Sequence, residues 1–306
     1  MPKKSLYLGL LILGTAFWGI SYPVVKAAVG YADPYSFQTY KFAAAALAVA
    51  LLFPRQLAYL RWQTVGWGLL LAGPLFAGST GLTIGLQTTS AANAAFLTGL
   101  SVLLVPLGKA ALYRQAVAPK MWAACALALL GLYVVAVPGD WHLHAGDGWV
   151  VAGAVAFAGY VLLGGRAARQ PHLMAVLVVQ LLGCAGLARL TGWGAGYPLA
   201  VPAAGAFWQA IGFTALLATA YMYGVQHYAQ QYLSEEKVAL THLCEPLFAA
   251  LAGALLLHEA ITPRTIVGGL FILSAMVLAE VTLPGWKRCP ATTDLPPAPH
   301  HQRAGQ

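Results

Sequence analysis

The chain is written as long apolar runs separated by short polar punctuation. The runs are too long for strands, which seldom pass about ten residues. A helix that crosses a bilayer needs roughly 20 mostly apolar residues. Runs of this kind lie at about 6–29, 36–53, 65–86, 91–112, 118–137, 148–168, 172–190, 206–228, 238–257 and 264–283. The breaks carry turn chemistry: Tyr31-Ala32-Asp33-Pro34, Phe53-Pro54-Arg55, Pro138-Gly139-Asp140, and a longer Gly- and Pro-rich loop from Gly192 to Pro202. Lipid cannot satisfy exposed backbone groups, so helices are the default for such runs. The pattern predicts an all-α membrane protein of ten transmembrane helices.

Composition agrees. Of 306 residues, 59% are hydrophobic and only 8% are charged, where a soluble domain carries about 25% charged residues. The formal charge of +8 does not point to nucleic acid, because Lys and Arg are scattered between the apolar runs. They mark topology instead, since basic residues concentrate in cytoplasmic loops. With the N-terminus inside, Lys26, Lys41, Arg189 and Arg264 face outward, and the other thirteen of the 17 Lys and Arg face inward. That asymmetry predicts cytoplasmic termini and an even number of spans. Lys3-Lys4 before an apolar run resembles a signal peptide, but no small-residue cleavage site follows, so the run reads as a retained first helix. The polar, Pro-rich residues 286–306 read as a disordered cytoplasmic tail. None of the four cysteines forms a CxxC pair, and the GxGxG run at Gly192, Gly194 and Gly196 lacks the strand and helix of a dinucleotide site.

An internal repeat organises the runs. At an offset of 144 residues Gln87 falls on Gln231, Ser90 on Ser234, and Ala118-Pro119-Lys120 on Thr262-Pro263-Arg264. At an offset of 140, Phe17-Trp18-Gly19 falls on Phe157-Ala158-Gly159 and Lys26-Ala27-Ala28 on Arg166-Ala167-Ala168. Residues 1–140 and 141–285 then each hold five spans. An odd number forces the second half to enter from the opposite face, giving two inverted five-helix repeats, a design of secondary transporters.

These residues resemble the drug/metabolite transporter superfamily, and its EamA-type members in particular. Gly14 to Pro23, with Phe17-Trp18-Gly19, is similar to that family's opening FWG helix. Thr39 to Ala45 is similar to its second helix, although Arg is commoner there than Lys41. Thr88 to Pro106 resembles the start of the fourth helix, and Leu243 to Ala250 with Glu259 resembles the family's Glu-Pro motif and the acid before its last helix. The resemblance covers about residues 6–283. It implies two EamA repeats and transport of small organic metabolites, commonly export across a bacterial inner membrane.

Ionisable groups inside a bilayer are costly and usually face a cavity or a partner. Glu245 stands out, with His242 one turn earlier on the same helix face. The pair could couple transport to protons. Glu245 could equally serve backbone freed by Pro246, or pair with Lys109. Lys41 either snorkels to the interface or holds an anionic substrate group; Lys26, Lys109 and Arg166 read as snorkelling. Trp18, Tyr22, Tyr160 and Tyr221 lie deep enough to line a cavity for aromatic or cationic solutes, or simply to pack helices. Five intramembrane amides, Gln38, Gln87, Asn93, Gln180 and Gln226, either bind substrate or bridge helices. Gly81 and Gly85 form a GxxxG pair that predicts a close helix crossing. Asp140, His142, His144 and Asp147 crowd one outer loop, which reads as solvated rather than as a metal site.

The expectation is a secondary carrier of amino acids or related metabolites, exporting by alternating access and exchanging with protons. The partners are a small-molecule substrate, the bilayer and protons, not nucleic acid, and no cofactor is expected; the protein would be a monomer or homodimer. An uncoupled facilitator is the alternative. No HExxH or GxSxG motif speaks for a membrane enzyme.

Overall fold

The computed structural model describes residues 3–89, 91–136, 144–249, 251 and 262–280. Ser90, Pro138 to His142, Glu259 and the tail lie outside the described residues. The described residues are helical and contain no strand. The helices are α1 (Lys3–Ala28), α2 (Pro34–Leu52), the short α3 (Pro54–Leu57), α4 (Trp62–Gly85), α5 (Ala91–Gly99), α6 (Ser101–Tyr113) and α7 (Pro119–Ala136). They continue with α8 (Asp147–Ala167), α9 (Leu173–Gly194), α10 (Gly205–Ala215), α11 (Met222–Ala229), α12 (Glu235–His242) and α13 (Pro263–Glu280). A π-helical turn, Leu216–Tyr221, joins α10 to α11. Five stretches are long and apolar enough to cross a membrane: α1, α4, Asn93–Tyr113, α8 and α9.

Local chemistry sets the boundaries. Asp33 caps α2 by accepting the N–H groups of Tyr35 and Ser36 at 3.0 and 2.9 Å, and Pro34 occupies the first turn, where its missing N–H costs nothing. Phe53-Pro54 ends the helix. The fourth apolar run was expected as one helix over 91–112. It breaks at Leu100, between Gly99 and Ser101, where Leu100 N–H turns back to Leu97 at 3.2 Å. A Gly/Ser pair is a common cause of such a kink. The ninth run breaks in the same way at Leu243 and Cys244, whose N–H groups reach Leu240 and Thr241 at 3.1 and 3.0 Å. Pro246 explains this second break, because it has no N–H and its ring clashes with the carbonyl four residues earlier.

Packing joins distant parts of the chain. α4 lies across α8 and α9, α2 packs on α9, α7 on α13, and α1 on α11. The outward faces keep large apolar side chains such as Leu51, Leu112, Leu182 and Leu190 exposed, as a bilayer would require. Lipid tails are as apolar as these side chains, so close backbone approach and hydrogen bonds must supply the helix–helix affinity. The GxxxG crossing is of this kind: a Cβ on Gly81 would sit 2.7 Å from the Trp149 carbonyl oxygen, and one on Gly85 would sit 2.9 Å from that of Gly146. α1 makes a second such contact, for a Cβ on Gly19 would lie 2.6 Å from the Glu245 carbonyl oxygen.

Gly81→Ala should therefore lower the melting temperature of the purified protein, with overpacking costing about 1–3 kcal/mol. Gly186→Ala meets nothing within 4 Å and should leave it unchanged or raise it. Equal melting temperatures for the two variants would mean that α4 and α8 are not in backbone contact.

Candidate functional site

Both helix breaks open onto one cavity. It encloses roughly 970 Å³, counting its open mouth, and draws its walls from both halves of the chain. α1 presents Trp18, Ser21, Tyr22 and Val25, spaced three or four apart on one helix face. α4 contributes Ser79 and Thr83, and α8 Phe157 and Tyr160. The π-turn and α11 contribute Thr219, Tyr223 and Gln226, and the breaks themselves Gly99, Ser101, His242 and Glu245. Irregular backbone at this depth is tolerated where it borders a cavity or is buried in protein. The wider π-turn also frees a carbonyl: Trp18 Nε1–H donates to the Ala218 oxygen at 2.6 Å, which fixes the indole against the wall.

Two ionisable side chains of opposite type face this space. Lys41 is 8% exposed; its Nζ donates to the Ser79 hydroxyl at 2.9 Å and lies 4.5 Å from the centre of the Phe42 ring. Gln38 holds that Ser79 hydroxyl in turn, through Nε2 at 2.9 Å. Glu245 is also 8% exposed and lines the cavity together with Tyr22. Among the described residues no ion pair links Lys41 to Glu245. Aromatic rings fill the space between the polar groups: Trp18 meets Tyr223 at 5.7 Å and His242 at 5.0 Å between centroids, and Tyr160 meets Tyr223 edge-on at 5.5 Å.

Two polar clusters stand near opposite ends of α8, about 30 Å apart for its 21 residues. At the end where α8 finishes, Lys109 of α6 pairs with both Glu235 and Glu236 of α12 at 2.9 Å. Beside it the Arg166 guanidinium stacks on Tyr113 at 3.7 Å. At the other end Asp147 accepts hydrogen bonds from Thr89 at 2.7 Å, Asn93 at 2.8 Å and the His144 N–H at 2.8 Å, while Lys26 donates to the Thr89 carbonyl at 3.2 Å. Among the described residues no three His, Cys, Asp or Glu converge on a metal-sized site.

The family model for the EamA-like transporter family matches residues 5–137 and, a second time, residues 144–280. The chain belongs to this family. As an EamA-like protein it is a multi-pass membrane transporter of small molecules, and the family is one of transporters rather than enzymes. An uncharacterized transporter of Archaeoglobus fulgidus is 26% identical over 285 residues, 91% of this chain and 87% of that protein. The uncharacterized transporter YyaM of Bacillus subtilis (strain 168) is 27% identical over 174 residues, 53% of this chain and 57% of its own length. A crystal structure 18% identical in sequence superposes with a TM-score of 0.75, covering 90% of this chain and 96% of that one, a likeness of fold.

Within this EamA fold, seven of the residues singled out from the sequence border the cavity: Glu245, His242, Trp18, Tyr22, Lys41, Tyr160 and Gln226. Three stand elsewhere. Gln87 is exposed in the turn after α4, and Asn93 is tied to Asp147 and Thr89. Tyr221 donates to the Leu10 carbonyl and packs edge-on against Phe17. Tyr223 borders the cavity in its place, because residues two apart on a helix point in nearly opposite directions. The spacing Thr219, Tyr223, Gln226 was the signal available for this face. Lys109 does not reach Glu245 and does not snorkel; it is buried against Glu235 and Glu236. Arg166, exposed in the last turn of α8, lays its guanidinium on Tyr113.

Removing Lys109 would leave two neighbouring buried carboxylates without their cation. Lys109→Met should cost about 3–5 kcal/mol, read as a lower melting temperature in detergent. Adding Glu236→Gln should recover part of the loss. A Lys109→Met protein that melts like the wild type would show that the cluster does not hold this end of the bundle.

Proposed function

We propose that this protein is a secondary carrier of small zwitterionic metabolites of the amino-acid type, exporting them across the bacterial inner membrane in exchange for protons. The observation that carries the reading is the cavity itself: a cation, Lys41, and a carboxyl, Glu245, face one aromatic-walled space without pairing with each other. A substrate carboxylate meets Lys41, its ammonium group meets Glu245 and the rings, and the Glu245–His242 pair is the place where a proton would be exchanged with the substrate.

Ten spans in two inverted halves, both termini cytoplasmic, go with this mechanism. The family model fits twice, over 5–137 and 144–280. The two helix breaks repeat at the 144-residue offset, α5 and α12 beginning at Ala91 and Glu235 and ending at Gly99 and His242. The packing also pairs off when the halves are exchanged: α4 with α8 corresponds to α11 with α1, and α4 with α9 to α10 with α2. Two such halves have two equivalent packings, which is the basis of alternating access. In that cycle the Lys109 cluster closes the cytoplasmic end and the Asp147 cluster the outer end.

The test is counterflow of radiolabelled amino acids in proteoliposomes, with and without a pH gradient. Wild-type flux should rise with the gradient. Lys41→Met should weaken substrate affinity at least about tenfold, as loss of a buried charge-assisted hydrogen bond would, and Glu245→Gln should abolish the response to the gradient. Flux that ignores the gradient in wild type and variant alike would make the protein an uncoupled facilitator. No flux for any amino acid would overturn the substrate class.

A further inference from the structure

The five amides that sequence alone could not sort behave differently in the structure. Gln38 donates to the Ser79 carbonyl at 2.8 Å and to Thr83 at 2.6 Å, and accepts from Ser79 at 3.2 Å. Gln180 donates to the Tyr160 hydroxyl at 3.1 Å and meets His227 Nε2 at 3.0 Å. Asn93 is held by Asp147 and Thr89, and Gln87 is exposed. Gln226 differs from all of them. It is 1% exposed, it borders the cavity, and neither its Oε1 nor its Nε2 has a partner. Among the described residues it is the one buried amide with neither side-chain atom partnered.

Such a group is unusual, because most buried polar side-chain atoms are hydrogen-bonded. An amide without partners in a membrane bundle is a standing cost, and its retention needs a use. On α11 it lines the same space as Tyr223 and Thr219. Its neighbour His227 is engaged with Gln180 on a different wall. The cavity it lines is the side from which a solute would reach it, and such a partner would both accept and donate.

We infer that Gln226 is a specificity-determining residue, and that the transported solute carries, besides its charged ends, a neutral hydrogen-bonding group, a carboxamide or a hydroxyl, which completes the Gln226 amide. This rests on the zwitterion reading given above and narrows it. The physical basis is the asymmetry of polar recognition: a site built to hydrogen-bond a substrate group strongly rejects the isostere that lacks it, because the site's own polar atoms are then left buried and unpaired. A purely apolar pocket offers no such discrimination.

Two near-isosteric pairs test it: asparagine against leucine, and threonine against valine, in proteoliposome counterflow. Wild-type protein should prefer the polar member of at least one pair by about tenfold or more; the asparagine pair reports a carboxamide and the threonine pair a hydroxyl. Gln226→Met, similar in shape, should bring that ratio close to one. Equal transport of all four solutes, or a preference that survives Gln226→Met, overturns the inference while leaving the zwitterion reading intact. Transport of none of the four overturns both. A second measurement separates recognition from structure. Gln226→Met removes only unpartnered atoms, so its melting temperature should equal or exceed that of wild type, whereas Gln38→Met, which strips a bonded amide, should melt lower. A Gln226→Met protein destabilised as much as Gln38→Met would assign the amide a structural role and end the proposal.

Discussion

A hydrocarbon solvent accepts and donates no hydrogen bonds, so each polar group in this bundle needs a partner inside the protein. That constraint makes the backbone helical, and it makes the exceptions informative. Where a helix breaks, at Leu100 and at Leu243, the freed groups turn back on nearby carbonyls and the break borders a cavity. Where a side chain is polar and deep, a partner can usually be named: Ser79 for Gln38 and Lys41, Tyr160 and His227 for Gln180, Ala218 for Trp18. Of the groups left over among the described residues, Thr98, Gln226 and His242 border that cavity, and Gln226 is the one with both amide atoms unpartnered.

The cavity's walls depend on glycine contacts some distance away. Gly19 lets α1 touch the backbone at Glu245, and this brings Trp18 and Tyr22 to the same space as the carboxyl. Gly81 and Gly85 let α4 meet α8, and this brings Ser79 and Thr83 opposite Phe157 and Tyr160. Without a hydrophobic force between helices in lipid, such close approaches and the hydrogen bonds they allow are the available sources of affinity. The same small residues that hold the bundle therefore also set the size of the site.

Charge is distributed by the same logic. The net positive formal charge sits mostly outside the apolar runs, but the buried charges each have a local arrangement. Lys109 faces two carboxylates on α12, Asp147 is ringed by hydroxyl, amide and backbone donors, and Lys41 and Glu245 remain separate across the cavity. The first two arrangements are complete in themselves and act as structural closures. The third contains no ion pair among the described residues, and on the function proposed above it is completed by the substrate.

How much of this could be read in advance depends on what each feature requires. The helical class needed only the length and apolarity of the runs, since in lipid no other backbone state fits them. The family likeness was visible in Phe17-Trp18-Gly19 and Glu245-Pro246, and the break at Pro246 follows from proline's missing N–H. Depth along a run likewise singled out Glu245 and Trp18. What sequence could not supply was the direction in which a side chain points once the apolar helix faces look alike. Tyr221 and Tyr223 are equally deep, and rotation about the helix axis alone sends one to Leu10 and the other to the cavity. Lys109 and Glu245 are both buried charges, yet the acids that meet Lys109 are Glu235 and Glu236, 126 and 127 positions away in the chain. Sequence by itself determined which groups must be accounted for, because composition and hydropathy fix the solvent. Tertiary structure decided which of them were already satisfied, because a hydrogen bond depends on distance and angle between atoms that the chain order leaves far apart.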